Sequence, residues 1–177
     1  MLQGEVVLER TASLHEGIRS QLSLAAKWRG KPNSAAGVPL RAAFSLEELA
    51  PWMGSLNLVE IIGGGEDFRY LIYGTVHGQQ FGDMTGRLVS DMSEPRRSLA
   101  THFYRALLAE PCVTLGRQSQ WTESRFYYVY RLGLPLSSDG TVVDRALVHV
   151  HVSDQPAEIE GAEFVRLTER AYRPTST

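Results

Sequence analysis

Cysteine and lysine are scarce in this sequence. Cys112 is the only cysteine among 177 residues, so the chain can form neither an intrachain disulfide nor a cysteine-rich zinc site. Lys27 and Lys31 are the only lysines, and the 18 Lys and Arg residues are balanced by 20 Asp and Glu residues. The resulting formal charge of −2 is not typical of proteins that bind phosphate backbones or anionic membranes. Nucleic acid is therefore not an expected partner.

Long hydrophobic runs are also missing. No window approaches the length and apolarity of a membrane span, and the first five residues lack the basic segment and apolar run of a signal peptide. We therefore expect no membrane partner and a cytoplasmic location. With 177 residues, 43% of them hydrophobic, the chain is long enough for one well-packed core and short for two domains.

Recognisable catalytic motifs are absent as well. The sequence has no Gly-x-Ser-x-Gly elbow, and Gly63-Gly64-Gly65 is not followed by the Lys and Ser or Thr of a phosphate loop. Adjacent acidic residues such as Glu47-Glu48 are more typical of a solvated surface than of two carboxylates facing each other across a cleft. Because no acid, base or nucleophile can be named, we predict that the chain is not an enzyme.

The first predicted element is an amphipathic helix over residues 13–28. Its apolar residues recur with helical spacing, and Ser13 with Glu16 has the spacing of a capping box. A turn-rich loop over residues 29–37 follows it. We interpret residues 1–30 as an N-terminal helical arm, which serves either as a dimerisation or signalling arm or as a cover for the domain's own core.

Two further helices and a connector are indicated. A second capping box at Ser45 precedes a short predicted helix over residues 46–53, in which Pro51 is a potential break. Ser93-Glu94-Pro95 begins another helix, which ends before residue 111. Four glycines between residues 74 and 92 favour a connector of short turns.

The remaining apolar runs predict β-strands. Gly63-Gly64-Gly65 and Asp139-Gly140 are hairpin signals, because glycine accepts the positive φ angles that tight turns need. This order suits one five-stranded antiparallel sheet covered on one face by helices, an α+β fold. The predicted strands span residues 56–62, 68–73, 113–118, 124–136 and 142–152, with a further short strand possible near residues 164–167.

Several local motifs carry a resemblance to a known family. They are Trp28-Arg29-Gly30, Pro39-Leu40-Arg41, Asp67-Phe68-Arg69-Tyr70-Leu71-Ile72-Tyr73-Gly74-Thr75, Phe81-Gly82, Thr85-Gly86-Arg87 and Leu134-Pro135-Leu136. Through these stretches the chain resembles, over roughly residues 28–152, a PAS-like domain family of alphaproteobacterial proteins. The resemblance implies a PAS fold, which we place at residues 31–168, followed by a short tail over 169–177. Relatives often carry an arginine where this chain has Leu71, and Arg69, on the same face of the strand, is its predicted substitute.

Arginines and tyrosines are the candidates for a ligand pocket. Guanidinium and phenol groups under a helical cover suit a small carboxylate or aromatic ligand, although core packing alone explains most aromatic residues. Alternation along residues 126–132 predicts that only one set of side chains faces inward. Arg131 and Tyr104 belong to the wider set, and the pocket candidates that we select are Arg69, Tyr73, Arg87, His102, Tyr128 and Tyr130.

Histidines raise the question of metals and cofactors. His149 and His151 project from one face of a strand, but no third ligand with clear spacing is visible, so no metal site is predicted. His77 or His102 is a possible axial ligand for haem, while a satisfied core or surface histidine is the more common case. The cofactor, if any, stays unassigned.

The sequence and the resemblance together favour a stand-alone sensory or regulatory module. In this hypothesis a small ligand or a protein partner shifts a conformational balance that a downstream protein reads, and the chain forms a homodimer through its N-terminal helix. The alternative is an interaction scaffold that dimerises and binds no ligand. A solvent-excluded pocket with a ligand would favour the first, and a core packed solid with aromatics the second.

Overall fold

One antiparallel sheet organises the chain in the computed structural model, which describes residues 16–121 and 126–154. Within them five strands lie in the order β2-β1-β5-β4-β3. The sheet is therefore open, with β5 at its centre and β1 and β4 on either side of it. The strands are β1 (Leu56–Ile62), β2 (Asp67–Ile72), β3 (Thr114–Trp121), β4 (Phe126–Leu136) and β5 (Arg145–Ser153).

Four α-helices occur in the described residues, joined by short 3₁₀ turns. The predicted helix at residues 46–53 ends early, because Pro51 lies in a 3₁₀ turn, Ala50–Ser55, that replaces its second half. Its start is confirmed, since the Ser45 side chain accepts a hydrogen bond from the Glu48 amide at 3.1 Å. The helices are α1 (Glu16–Arg29), α2 (Leu46–Leu49), α3 (Thr75–Phe81) and α4 (Arg96–Ala109).

The predicted hairpins and most strand boundaries are confirmed. Gly63, Gly64 and Gly65 have φ angles of 57, 67 and 112° between β1 and β2, and Gly140 has a φ of 87° between β4 and β5. The connector between residues 74 and 92 contains the two-turn helix α3. The Ser13 capping box, the predicted strand near residues 164–167 and the C-terminal tail lie outside the described residues.

Helices cover both faces of the sheet, so the prediction of a single helical face is wrong. Alternate residues of β4 enter different layers: Tyr130 and Leu132 pack in the cluster that contains α1, whereas Val129 packs with Phe103 of α4. The alternation predicted along residues 126–132 is confirmed. The prediction fails because a strand that is buried on both faces carries apolar residues on both of them. The alternation of side chains along β4 does not show which helix covers which face.

The described part of the N-terminal arm packs on the domain's own core. Ile18, Leu22 and Leu24 of α1 are buried against the sheet, and burial of each contributes roughly 1.5–3 kcal/mol. Gln21 crosses the same interface, where its Nε2 donates to the carbonyls of Tyr130 at 2.9 Å and His149 at 3.2 Å. The sequence left two roles open for this helix, a dimerisation or signalling arm and a cover for the domain's own core. The structure shows that α1 covers the core.

Membrane insertion finds no support in the helices. None of those within residues 16–121 and 126–154 combines the length and the apolarity that crossing a bilayer requires.

Candidate functional site

A small cavity lies between the sheet and helices α3 and α4, and we call it the inner cavity. Its volume of about 20 Å³ is enough for roughly one water molecule. Both polar and apolar side chains line it, contributed by four strands, α3, α4 and the connector. The lining residues are Asn57, Tyr70, Tyr73, His77, Phe81, Met92, Arg96, Val129, Arg131 and Val150.

The Gly74-Thr75 step positions α3 over this cavity. A Cβ atom on Gly74 would lie 2.6 Å from the carbonyl oxygen of Gly54, so only glycine lets the two chain segments cross here. The Gly74 amide also donates to Asn57 Oδ1 at 2.8 Å. Because α3 begins at the next residue, this crossing sets where His77 and Phe81 project.

His77 is held between two acceptors. Its Nδ1 lies 3.3 Å from Asn57 Oδ1, and its Nε2 lies 3.2 Å from the carbonyl oxygen of Val150. A neutral imidazole has one N–H and can donate to only one of them. Burial is the main cause that lowers the pKa of His77, with the Arg131 charge adding to it, so the ring stays neutral at pH 7. Haem iron could bind Nδ1 only if the contact with Asn57 were broken, and Nε2 only if the contact with the Val150 carbonyl oxygen were broken.

Two arginines give the inner cavity its positive charge. Arg96 donates from Nη1 to the Phe81 carbonyl at 3.2 Å, and its guanidinium lies 5.5 Å from the centre of the Phe81 ring. Arg131 approaches from β4 on the floor of the cavity. None of the ten lining residues that the structure describes is acidic. Two guanidinium groups that line one cavity offer it planar sets of N–H donors, which suit an anionic ligand.

Two phenols complete the polar lining. Burial raises the pKa of Tyr70 to about 12 and raises the pKa of Tyr73, while the charges of Arg96 and Arg131 act in the opposite direction. The Tyr104 hydroxyl donates to the Tyr70 hydroxyl at 3.1 Å, which fixes the ring of Tyr70. Both phenols that line the cavity are therefore neutral hydrogen-bond donors at pH 7, a property that suits a bound carboxylate.

The six pocket candidates selected from the sequence do not come together. Tyr73 lines the inner cavity. Arg69 is exposed and pairs with Glu60 at 3.2 Å, and Arg87 is exposed in the connector. His102 is half-buried on α4 and lines neither of the two spaces described here.

Tyr128 and Tyr130 belong to the other face of the sheet. Tyr130 is fully buried in the cluster under α1, and Tyr128 packs against that cluster. The expectation that one set of β4 side chains faces inward is wrong, because Arg131 faces the inner cavity while Tyr130 faces a second buried layer.

Sequence reasoning missed Asn57, Tyr70 and Arg96. Asn57 carries a visible signal, since it is a polar residue at the start of the apolar run of β1. Tyr70 stands in the motif that carries the resemblance, but a tyrosine in a strand is usually explained by packing. Arg96 has no signal of its own, because its place depends on how the first turn of α4 lies over α3.

His149 and His151 lie on the face of the sheet that α1 covers. Their neighbours Val148 and Val150 pack in the core of the opposite face, as the alternation indicated. His149 is 6% exposed, and a Cβ on Gly17 would lie 2.2 Å from the His151 ring. Within the described part of the chain, no three His, Cys, Asp or Glu side chains are grouped so that they could hold a metal ion.

Comparison of the chain with known proteins does not name a family. No protein-family model and no curated protein matches it. The role of the inner cavity is therefore inferred from its own residues.

Proposed function

We propose that the chain is a PAS-like sensory module of the cytoplasm that binds a small carboxylate-bearing ligand in the inner cavity and catalyses no reaction. The observation that carries this proposal is the convergence of Arg96 and Arg131 on the lining of the inner cavity. The element order also supports it, since two strands, a helical connector, a long helix and three strands follow one another as the resemblance implies.

Charge-assisted hydrogen bonds supply the recognition. A guanidinium offers several N–H donors in a fixed plane, and its hydrogen bonds to a carboxylate are roughly twice as strong as those between neutral groups. Tyr73 and Tyr70 add neutral donors beside the arginines. A ligand with one carboxylate and a small apolar body satisfies both the polar lining and the contacts of Met92 and Val129.

The small volume of the inner cavity makes binding a conformational event. A space of about 20 Å³ does not hold an organic molecule, so the ligand must bind a more open state. Helix α3 is the element that opens, because it has only two turns and is followed by Gly82 with a φ of 84°. Movement of α3 separates Phe81 from Arg96, and a downstream protein partner would read that difference.

Benzoate titration of the full chain by calorimetry tests the proposal. We expect Arg131→Gln to weaken benzoate binding at least about tenfold, because the loss of one buried charge-assisted pair exceeds roughly 1.4 kcal/mol. Arg69→Gln is the matched control, since it removes the same charge from an exposed site outside the cavity. The proposal is wrong if Arg69→Gln and Arg131→Gln weaken binding equally.

The alternative is a scaffold that dimerises without a ligand. The tight packing of the inner cavity favours it, because the rings of Phe68, Tyr70, Phe103 and Tyr104 already fill the space beside it. Native mass spectrometry of protein purified without added ligand separates the two functions. An extra mass that is lost on denaturation supports the sensor, whereas bare protein at dimer mass that does not bind benzoate supports the scaffold.

A further inference from the structure

A second and larger space lies on the other side of α3, and we call it the outer cleft. It has a volume of about 670 Å³ and runs between α1, α3 and the end of β5. Ser20 lines it from α1, Gln80 from α3, and His149 and His151 from β5. Its volume is within the range of about 300–1,000 Å³ that is usual for small-molecule sites.

The outer cleft exists because β1 is shorter than the strand beside it. The pairing of β1 with β5 ends at Leu56 and His149, whereas β4 accompanies β5 as far as Ser153. Residues 150–153 therefore have a strand partner on one side only within the described chain. The space that a longer β1 would fill is left between α1 and α3, beside this stretch of β5.

The lining of the outer cleft carries no formal charge. Its twelve described residues include no Asp, Glu, Lys or Arg. Val76, Phe81 and Val152 supply an apolar wall, and hydroxyl, amide and imidazole groups supply hydrogen-bonding atoms. An anion or a cation would lose its hydration here without gaining a counter-charge, so the lining favours a neutral ligand.

His149 provides the polar anchor of this cleft. The side chain is 6% exposed, and its Nδ1 atom is buried without a hydrogen-bond partner among the described residues. Burial lowers the pKa of His149 to about 4, with His77 and His151 as further causes, so the ring is neutral at pH 7. A buried ring nitrogen without a partner is destabilising. Because this nitrogen has almost no accessible surface, a ligand in the cleft reaches it only if the His149 ring turns towards the cleft, and the hydrogen bond that then forms removes the penalty.

We infer that the outer cleft is a second binding site, which takes a neutral and largely apolar small molecule whose amide or hydroxyl group hydrogen-bonds to His149 Nδ1. This site differs in chemistry from the inner cavity, where two guanidinium groups favour an anion. It does not depend on the proposed function, because no arginine lines it.

The two spaces share a wall. His77, Phe81 and Val150 line both the inner cavity and the outer cleft. A molecule in the outer cleft contacts α3, the element whose movement opens the inner cavity. If α3 moves as the proposed function requires, binding at one site changes affinity at the other by the same factor in both directions; the outer cleft itself does not depend on that movement.

Ligand titrations followed by nitrogen-15 NMR of the imidazole rings test this inference on the full chain. The probes are benzamide, benzoate and toluene, which share a phenyl ring. Benzamide is neutral and polar, benzoate is anionic, and toluene has no hydrogen-bonding group. We expect benzamide to bind with a dissociation constant on the order of 1 mM and to shift the Nδ1 signal of His149. Toluene should bind at least about fivefold more weakly, because it cannot hydrogen-bond to that nitrogen.

The variants separate this site from the inner cavity. His149→Leu should weaken benzamide binding about tenfold, whereas Arg131→Gln and the control His102→Leu should leave it within about twofold. Benzamide that leaves the His149 ring signals unmoved, or that binds as tightly as toluene, overturns the inference. The ring signals of the unmodified chain decide the question even if His149→Leu does not fold. Failure of benzoate to bind argues against the proposed function alone.

Discussion

Acid destabilisation through His149 is the prediction that the structure quantifies best. The pKa of this ring is about 4 in the folded chain, against an ordinary value of 6.5. The unfolded chain therefore binds a proton at a higher pH than the folded chain does. Folding stability is at its full value above pH 6.5 and falls as the pH falls from 6.5 towards 4.

The expected size of the effect follows from these two pKa values. Between pH 7.5 and pH 5, protonation of the unfolded chain at His149 lowers the free energy of unfolding by about 2 kcal/mol. The limit below pH 4 is roughly 3 kcal/mol. His77 acts in the same direction, because burial also lowers its pKa, so the whole protein should lose somewhat more than His149 alone provides.

Urea unfolding at a series of pH values measures this effect. Trp28 and Trp52, which pack in and around the cluster under α1, report unfolding by their fluorescence. His149→Gln replaces the ring with a neutral side chain that does not titrate, so it should reduce the loss of stability between pH 7.5 and pH 5 by about 2 kcal/mol. His102→Gln is the control and should keep the loss, since His149 is intact. An unchanged loss in His149→Gln would refute the reasoning.

Three further predictions concern packing and capping, all measured by urea unfolding. Gly17→Ala should lower the free energy of unfolding by about 1–3 kcal/mol, because the new Cβ would lie 2.2 Å from the His151 ring. Alanine favours helices more than glycine does, so a gain in stability would show that this contact is relieved. Gly133→Ala should cost a similar ~1–3 kcal/mol, since its Cβ would lie 2.8 Å from Phe103 Cζ, and Phe103→Leu should restore part of the loss. Ser45→Ala should cost about 1 kcal/mol by removing the cap of α2, whereas Ser45→Asp should not.

Local signals made much of the fold predictable. The limits of β1 follow from an apolar run that ends at three consecutive glycines, and positive φ angles at those glycines are a local requirement of the turn. The start of α2 likewise follows from the Ser45 cap. The covering of both faces was not predictable, because the periodicity of α1 shows that the helix buries one side but not what that side contacts.

The candidate site was less predictable than the fold. Tyr73 is a candidate because a phenol under a helical cover suits a small carboxylate or aromatic ligand, and it does line the inner cavity. Tyr128 and Tyr130 met the same criterion and lie on the other face, since alternation distinguishes two faces without saying which holds the cavity. Arg96 reaches the cavity only through the packing of α4 over α3, which is a long-range property of the fold.

Burial of both faces has a consequence for how the central strands find their register. In a sheet with one solvated face, a slip by one residue exposes apolar side chains, and that penalty rejects the wrong pairing. In β4 such a slip exchanges one buried face for another, so hydrophobicity discriminates weakly. Side-chain size distinguishes the correct register instead, because a slip by one residue would put a leucine where Gly133 now lies against Phe103. Gly133 therefore marks the register of this strand, and a larger residue there favours mispaired chains as well as a weaker fold.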